Sequence, residues 1–136
     1  MVPLPLKLSA KVLIVDSAGR VLLIQRSPAS KHNPRKWEFP GGKNDPGEEL
    51  EDTLHREVTE ETGLTIDLGR VVGAGESVLP DRRIAYLFLE GKPVAGVVKL
   101  SDEHEDFAWV PRHELTSYDI SPQFRAIAAA YATAPD

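Results

Sequence analysis

Apolar and polar positions fall into blocks along the chain, and the period changes from block to block. Lys11 to Val15 and Val21 to Gln25 are apolar, β-branched runs on either side of Asp16-Ser17-Ala18-Gly19, and the turn formers between them predict a hairpin. From Arg26 to Lys36 the pattern dissolves, and Ser27, Pro28, Ser30, Asn33 and Pro34 predict a loop. A short extended piece at Trp37 to Phe39 follows, ended by Pro40-Gly41-Gly42. Between about Glu49 and Thr62, Leu50, Leu54 and Val58 recur every fourth position, which predicts an amphipathic helix with Gly63 as its C-cap. Val71 to Val78, Ile84 to Glu90, Val94 to Leu100 and Phe107 to Val110 read as strands, with Gly91-Lys92-Pro93 as a turn. Ser121-Pro122 opens a C-terminal helix that packs through Phe124, Ile127 and Tyr131. Strands around an internal helix, closed by a second helix, predict an α/β fold with a mixed sheet covered on both faces.

Length and charge narrow the picture. The 136 residues suit a single domain over 1–136 with one site. A net charge of -5, with no acidic tail, gives no reason to expect stable binding to nucleic acid or to an anionic membrane. The absence of cysteine excludes disulfides, thiolate nucleophiles and sulfur-ligated zinc, so any metal must sit on oxygen or histidine. Met1 to Ala10 mixes Pro3, Pro5 and Lys7 into its apolar residues and resembles neither a signal peptide nor a membrane span. The expectation is a cytoplasmic protein, with monomer and homodimer both open.

The predicted helix carries the chemistry. On a helical wheel with Glu57 at zero, Leu50, Leu54 and Val58 fall at roughly 20°, 60° and 100°, Glu61 at about 40° and Glu60 at about 300°. Glu57 and Glu61 thus lie within or beside the apolar sector, where ions lose hydration. Carboxylates converging over about one turn repel one another unless a divalent cation neutralises them, and hard oxygen donors suit Mg²⁺ or Mn²⁺. A solvated acidic patch is the alternative reading of these glutamates.

The surroundings favour the cation. Gly42, Glu48, Arg56, Glu57, Val58, Glu60, Glu61, Gly63 and Leu64 fill every fixed position of a pattern that resembles the Nudix box, G-x5-E-x7-R-E-U-x-E-E-x-G-U with U aliphatic. The box covers about a sixth of the chain. The resemblance implies a Nudix α/β/α sandwich with the box as its loop-helix-loop element. It further implies that Glu57, Glu60 and Glu61 hold the metal, that the Gly41 carbonyl adds a ligand, and that Arg56 pairs with Glu48 to hold the loop against the helix. The reaction implied is attack of water on phosphorus in a phosphoanhydride. Its base is a box glutamate such as Glu60 or an acidic residue of a later loop, where Glu103 is favoured over Glu105. A solvated turn is the alternative for that loop, and His104 reads as a bystander.

Trp37-Glu38-Phe39-Pro40-Gly41-Gly42-Lys43 and Pro80-Asp81-Arg82-Arg83-Ile84 are similar to segments of MutT-type nucleoside triphosphate pyrophosphohydrolases. That similarity implies that Arg26 and Lys43 meet phosphates while Phe39 and Arg82 line a nucleoside pocket. The bland alternatives are a core position for Phe39 and exposed strand-end charges for Arg26 and Arg82. No asparagine follows Asn44, so the late asparagine associated with base reading is missing; Asp119 could replace it, or could be a surface turn residue. Pro80 fits both triphosphate and ADP-ribose enzymes. The expected substrate is a small nucleotide, a nucleoside triphosphate, canonical or oxidised. ADP-ribose or another nucleoside-diphosphate compound is the alternative, and a non-catalytic nucleotide sensor is a third reading that the complete set of box carboxylates disfavours.

Overall fold

In the computed structural model, which describes residues 3–135, the first apolar run becomes a strand buried on both faces. Strand β1 (Leu6–Ile14) is followed by β2 (Arg20–Arg26), β3 (Trp37–Glu38) and β4 (Gly41–Lys43). Helix α1 (Leu50–Thr62) comes next, then β5 (Thr65–Val78), β6 (Arg83–Ala95), β7 (His104–Pro111) and helix α2 (Arg125–Thr133). Short 3-10 turns occupy Arg112–Ser117 and Pro122–Phe124. One sheet is mixed, in the order β4-β1-β6-β5 with β1 parallel to β6, and the other is antiparallel, in the order β3-β2-β7.

The side-chain alternation of β1 and β2 builds two core layers. Leu13, Val21 and Leu23 face one way and pack with Phe39, Phe88, Leu115, Phe124, Ile127 and Tyr131 beneath α2. Ala10, Val12, Ile14, Leu22 and Ile24 face the other way and pack with Leu54, Val58 and Leu64 of α1 and its exit. A helix therefore covers each face of the strand layer, the expected α/β/α sandwich. Among the described residues no helix is long and apolar enough to cross a membrane.

Two expectations need correction. Asp16 does turn the chain, its Oδ1 accepting the N–H groups of Ala18 and Arg20. Beyond the single bridge Val15 to Val21, however, β1 and β2 do not form a hairpin; they enter different sheets. Each strand is apolar on both faces, so each occupies the middle of a sheet, β1 between β4 and β6, β2 between β3 and β7. Nor is Gly91-Lys92-Pro93 a turn with a new strand after it. Strand β6 runs through it to Ala95, and residues 96–100 pair in no sheet. A side chain at Gly91 would meet Val12 Cγ1 at 2.7 Å, so glycine serves close strand packing there. Pairing with β1 ends at Gly91, and Pro93 lies where β6 keeps only β5 as neighbour, a position that tolerates a missing N–H.

Candidate active site

The loop before α1 is tied to the helix by one arginine. Arg56 donates to both oxygens of Glu48, Nε to Oε2 at 3.0 Å and Nη2 to Oε1 at 3.0 Å. Thr53 Oγ1 adds a bond to Glu48 at 2.7 Å, and Asn44 Nδ2 reaches the Glu48 carbonyl at 3.0 Å. Hydrogen bonds from Arg56 and Thr53 hold the Glu48 carboxyl down at about 2. The same guanidinium also pairs with Glu57 at 2.9 Å and with Glu60 at 3.5 Å.

Glu57, Glu60 and Glu61 occupy the C-terminal half of α1, whose last turn has no basic residue. The helix dipole is negative at that end, so these carboxylates gather where negative charge is least favoured. Their burial differs: Glu60 is exposed, Glu57 half-buried, and Glu61 buried with 6% of its surface accessible. Glu61 Oε1 accepts the Gly41 N–H at 2.8 Å. Burial nevertheless pushes its carboxyl up to about 8, since Lys11 and that N–H offset only part of the desolvation. Burial also raises Glu57, against the pull of Arg56.

Two glycines let the backbone reach these acids. A Cβ on Gly42 would lie 2.6 Å from the carboxyl carbon of Glu57. Gly41, at φ 139°, would put a Cβ 2.1 Å from the Ala10 carbonyl oxygen. The Gly41 carbonyl accepts from Lys11 Nζ at 3.2 Å.

Ser101, Asp102 and Glu103 face the helix, and with Glu57, Glu60 and Glu61 they line one cleft; Glu105 is outside that lining. The Ser101 N–H reaches the Glu61 carbonyl at 3.4 Å and the Lys99 N–H the Thr62 carbonyl at 2.8 Å, binding this segment to the last turn of α1.

Behind the cleft lies a charge network that the sequence reading missed. Glu38, 2% exposed, accepts from Lys11 Nζ at 3.3 Å, Arg26 Nη1 at 3.0 Å and His104 Nε2 at 2.7 Å. Burial would raise the Glu38 carboxyl, but Lys11, then His104 and Arg26, outweigh it and hold it at about 2. Burial likewise opposes the charge on Lys11, and its carboxylate neighbours Glu38 and Glu61 more than compensate. The available signal was a lysine inside the β-branched run of β1 and a glutamate between Trp37 and Phe39, each a charge at a position patterned for the core.

The other expected site residues fall in different places. Phe39 has no accessible surface and packs edge-on to Phe124 at 6.5 Å, so it is core and lines no nucleoside pocket. Arg26 is turned inward too, donating to Glu38, Ser30 and the His32 carbonyl, which fixes the loop after β2. Lys43 is exposed on β4, next to Gly42. Arg82 pairs with Asp81 at 3.2 Å, while its Nε is buried without a partner. Asp119 is bound by Lys36 at 2.7 Å. His104, read as a bystander, is buried and bonded to Glu38.

The residues fit a hard divalent cation. The test is Glu61, a buried carboxyl whose ionisation is disfavoured, set beside two more carboxylates and a glycine that leaves no side chain between backbone and Glu57. Glu38, Glu61 and His104 also lie close enough to share an ion, but Lys11 and Arg26 already neutralise Glu38.

Comparison with known proteins agrees with this geometry. A NUDIX domain family model matches residues 5–131. The chain is 31% identical over 109 residues to the CTP pyrophosphohydrolase of Escherichia coli, covering 80% of this chain and 79% of that one. It is 26% identical over 123 residues to the nucleoside triphosphatase NudI of Escherichia fergusonii, covering 79% and 84%. A MutT protein from Methanosarcina mazei Go1 superposes with a TM-score of 0.86 at 32% identity over 96% of each chain.

Proposed function

Since the chain belongs to the Nudix family of hydrolases, we propose that it cleaves a nucleoside triphosphate to the monophosphate and pyrophosphate, with Mg²⁺ or Mn²⁺ held by Glu57, Glu60 and Glu61. The observation that carries this reading is the single cleft shared by those carboxylates of α1 and by Glu103 of the opposite loop. The names of the E. coli and E. fergusonii relatives favour a triphosphate as substrate.

A divalent ion bound there supplies neutralisation of the phosphate oxygens and favours ionisation of the attacking water. Glu103, exposed and facing the box glutamates, takes the proton of that water as its oxygen attacks phosphorus. The oxygen–phosphorus bond forms while the bridging P–O bond breaks, and pyrophosphate leaves with the bridging electron pair. Glu48 and Arg56 hold the loop so that Gly41 and Gly42 stay against Glu61 and Glu57. Lys43 supplies a cationic contact to the phosphates, and Arg82 a contact to the nucleoside. Arg26 acts indirectly, through Glu38 and the loop it fixes.

The test is kcat/KM for a panel of triphosphates and ADP-ribose at one magnesium concentration, with products identified by chromatography. The expected result is faster turnover of a triphosphate. Faster turnover of ADP-ribose overturns the substrate, and turnover of no nucleotide overturns the enzyme.

A further inference from the structure

Glu103 stands on a segment with little sheet pairing of its own before β7, so its position depends on what anchors the segment at each end. Toward the helix the anchors are the Lys99 and Ser101 N–H groups on the Thr62 and Glu61 carbonyls. Toward the sheet the Glu103 carbonyl accepts the Ser27 N–H at 2.9 Å, and the next side chain, His104, turns into the core. Its ring has no accessible surface, and its one bond is Nε2 to Glu38 Oε2 at 2.7 Å, Nδ1 being buried without a partner. Glu38 is in turn pinned by Lys11 of β1 and Arg26 of β2. The carboxylate that receives His104 is thus fixed by two strands at the centre of the sandwich. His104 is not part of the cleft lining, whereas Glu103 is.

We propose that His104 is a positioning residue: by donating Nε2–H to the buried Glu38 carboxylate it sets where the Glu103 carboxylate stands over the box glutamates. It acts through Glu103 and touches no substrate. The inference rests on the reading of Glu103 as proton acceptor. The bond to Glu38 is the ring's one hydrogen bond, and a shift of about 1 Å in an acid–base group lowers a rate by about 10²-fold.

The experiment is a double-mutant cycle in kcat and KM between His104→Leu, which keeps bulk without a donor, and Glu103→Gln. With Glu103 present, His104→Leu is expected to lower kcat by about 30- to 100-fold and to move KM by less than about twofold. In the Glu103→Gln background the same change is expected to alter kcat by less than about twofold. His104→Gln, which restores a donor at similar reach, is expected to recover kcat to within about fivefold. Equal losses in both backgrounds, a raised KM at unchanged kcat, or no effect of His104→Leu would each overturn the proposal. If His104→Leu does not fold by circular dichroism, His104→Gln carries the test, and a large loss in it that multiplies with Glu103→Gln is the overturning result. Wild-type kcat in Glu103→Gln alone would instead overturn the role given to Glu103.

Discussion

Glu61→Gln separates what the site needs for binding a cation from what the fold needs for stability. Burial holds the Glu61 carboxyl at about 8, against 4.5 for a free glutamate. Below about 4.5 the group is protonated in both folded and unfolded chains and stability is undiminished. As pH rises toward 8 the unfolded chain releases the proton and the folded chain keeps it, so stability falls, and above about 8 the loss is complete. At about 1.4 kcal/mol per factor of ten, the loss from this group approaches roughly 5 kcal/mol. Glutamine escapes that ionisation and its oxygen can still accept the Gly41 N–H, although burying its amide costs about 1–3 kcal/mol. The net expected gain for Glu61→Gln at pH 8.5 in excess chelator is about 2 kcal/mol, or about 7 °C in Tm for a chain of this size. At pH 5 the gain should shrink toward zero or reverse. Saturating Mg²⁺ should raise the wild-type Tm and leave the variant nearly unmoved, because a cation that binds the folded state stabilises it by mass action. Thermal melts at the two pH values, with and without magnesium, measure all four quantities. A variant no more stable than wild type at pH 8.5, or one that gains as much from magnesium, would mean that Glu61 is neither strained by ionisation nor a ligand of the cation.

Other substitutions probe the neighbouring parts. Gly42→Ala puts a Cβ 2.6 Å from the Glu57 carboxyl carbon, so kcat is expected to fall at least about tenfold with a rise in the magnesium requirement, read from a magnesium titration of the rate. Glu38→Gln leaves Lys11 and Arg26 facing a neutral amide and is expected to lose about 3–5 kcal/mol in urea denaturation at pH 7. Since the Glu38 carboxyl sits at about 2, its contribution is present above about 4.5 and is lost as pH falls toward 2. The acid limb of the stability profile should therefore be shallower in Glu38→Gln than in wild type.

The sequence made the box legible because its residues act locally. Glu48, Arg56, Glu57, Glu60 and Glu61 lie on or next to one helix, where spacing alone decides which side chains are neighbours. The helix ended at Gly63 in the left-handed region, as its C-cap pattern indicates. What depends on distant partners was not legible. Lys11, Glu38 and His104 are far apart in the chain, and only the stacking of β1, β3 and the start of β7 makes them neighbours. Strand pairing failed for the same reason: the turn at Asp16 is a local signal, whereas the choice of sheet for β1 and β2 is set by burial on both faces. Phe39 shows the limit of transferring a role by motif, since its full burial fits the alternative reading of a core position.

Whether this cleft hydrolyses a triphosphate by a metal-dependent route is decided by product analysis of one nucleoside triphosphate incubated with the enzyme and Mg²⁺, beside excess chelator and Glu61→Gln. Nucleoside monophosphate and pyrophosphate are expected in equal amounts with magnesium, and turnover lower by orders of magnitude in the other two samples. Release of diphosphate and inorganic phosphate, or undiminished turnover in chelator, would contradict it.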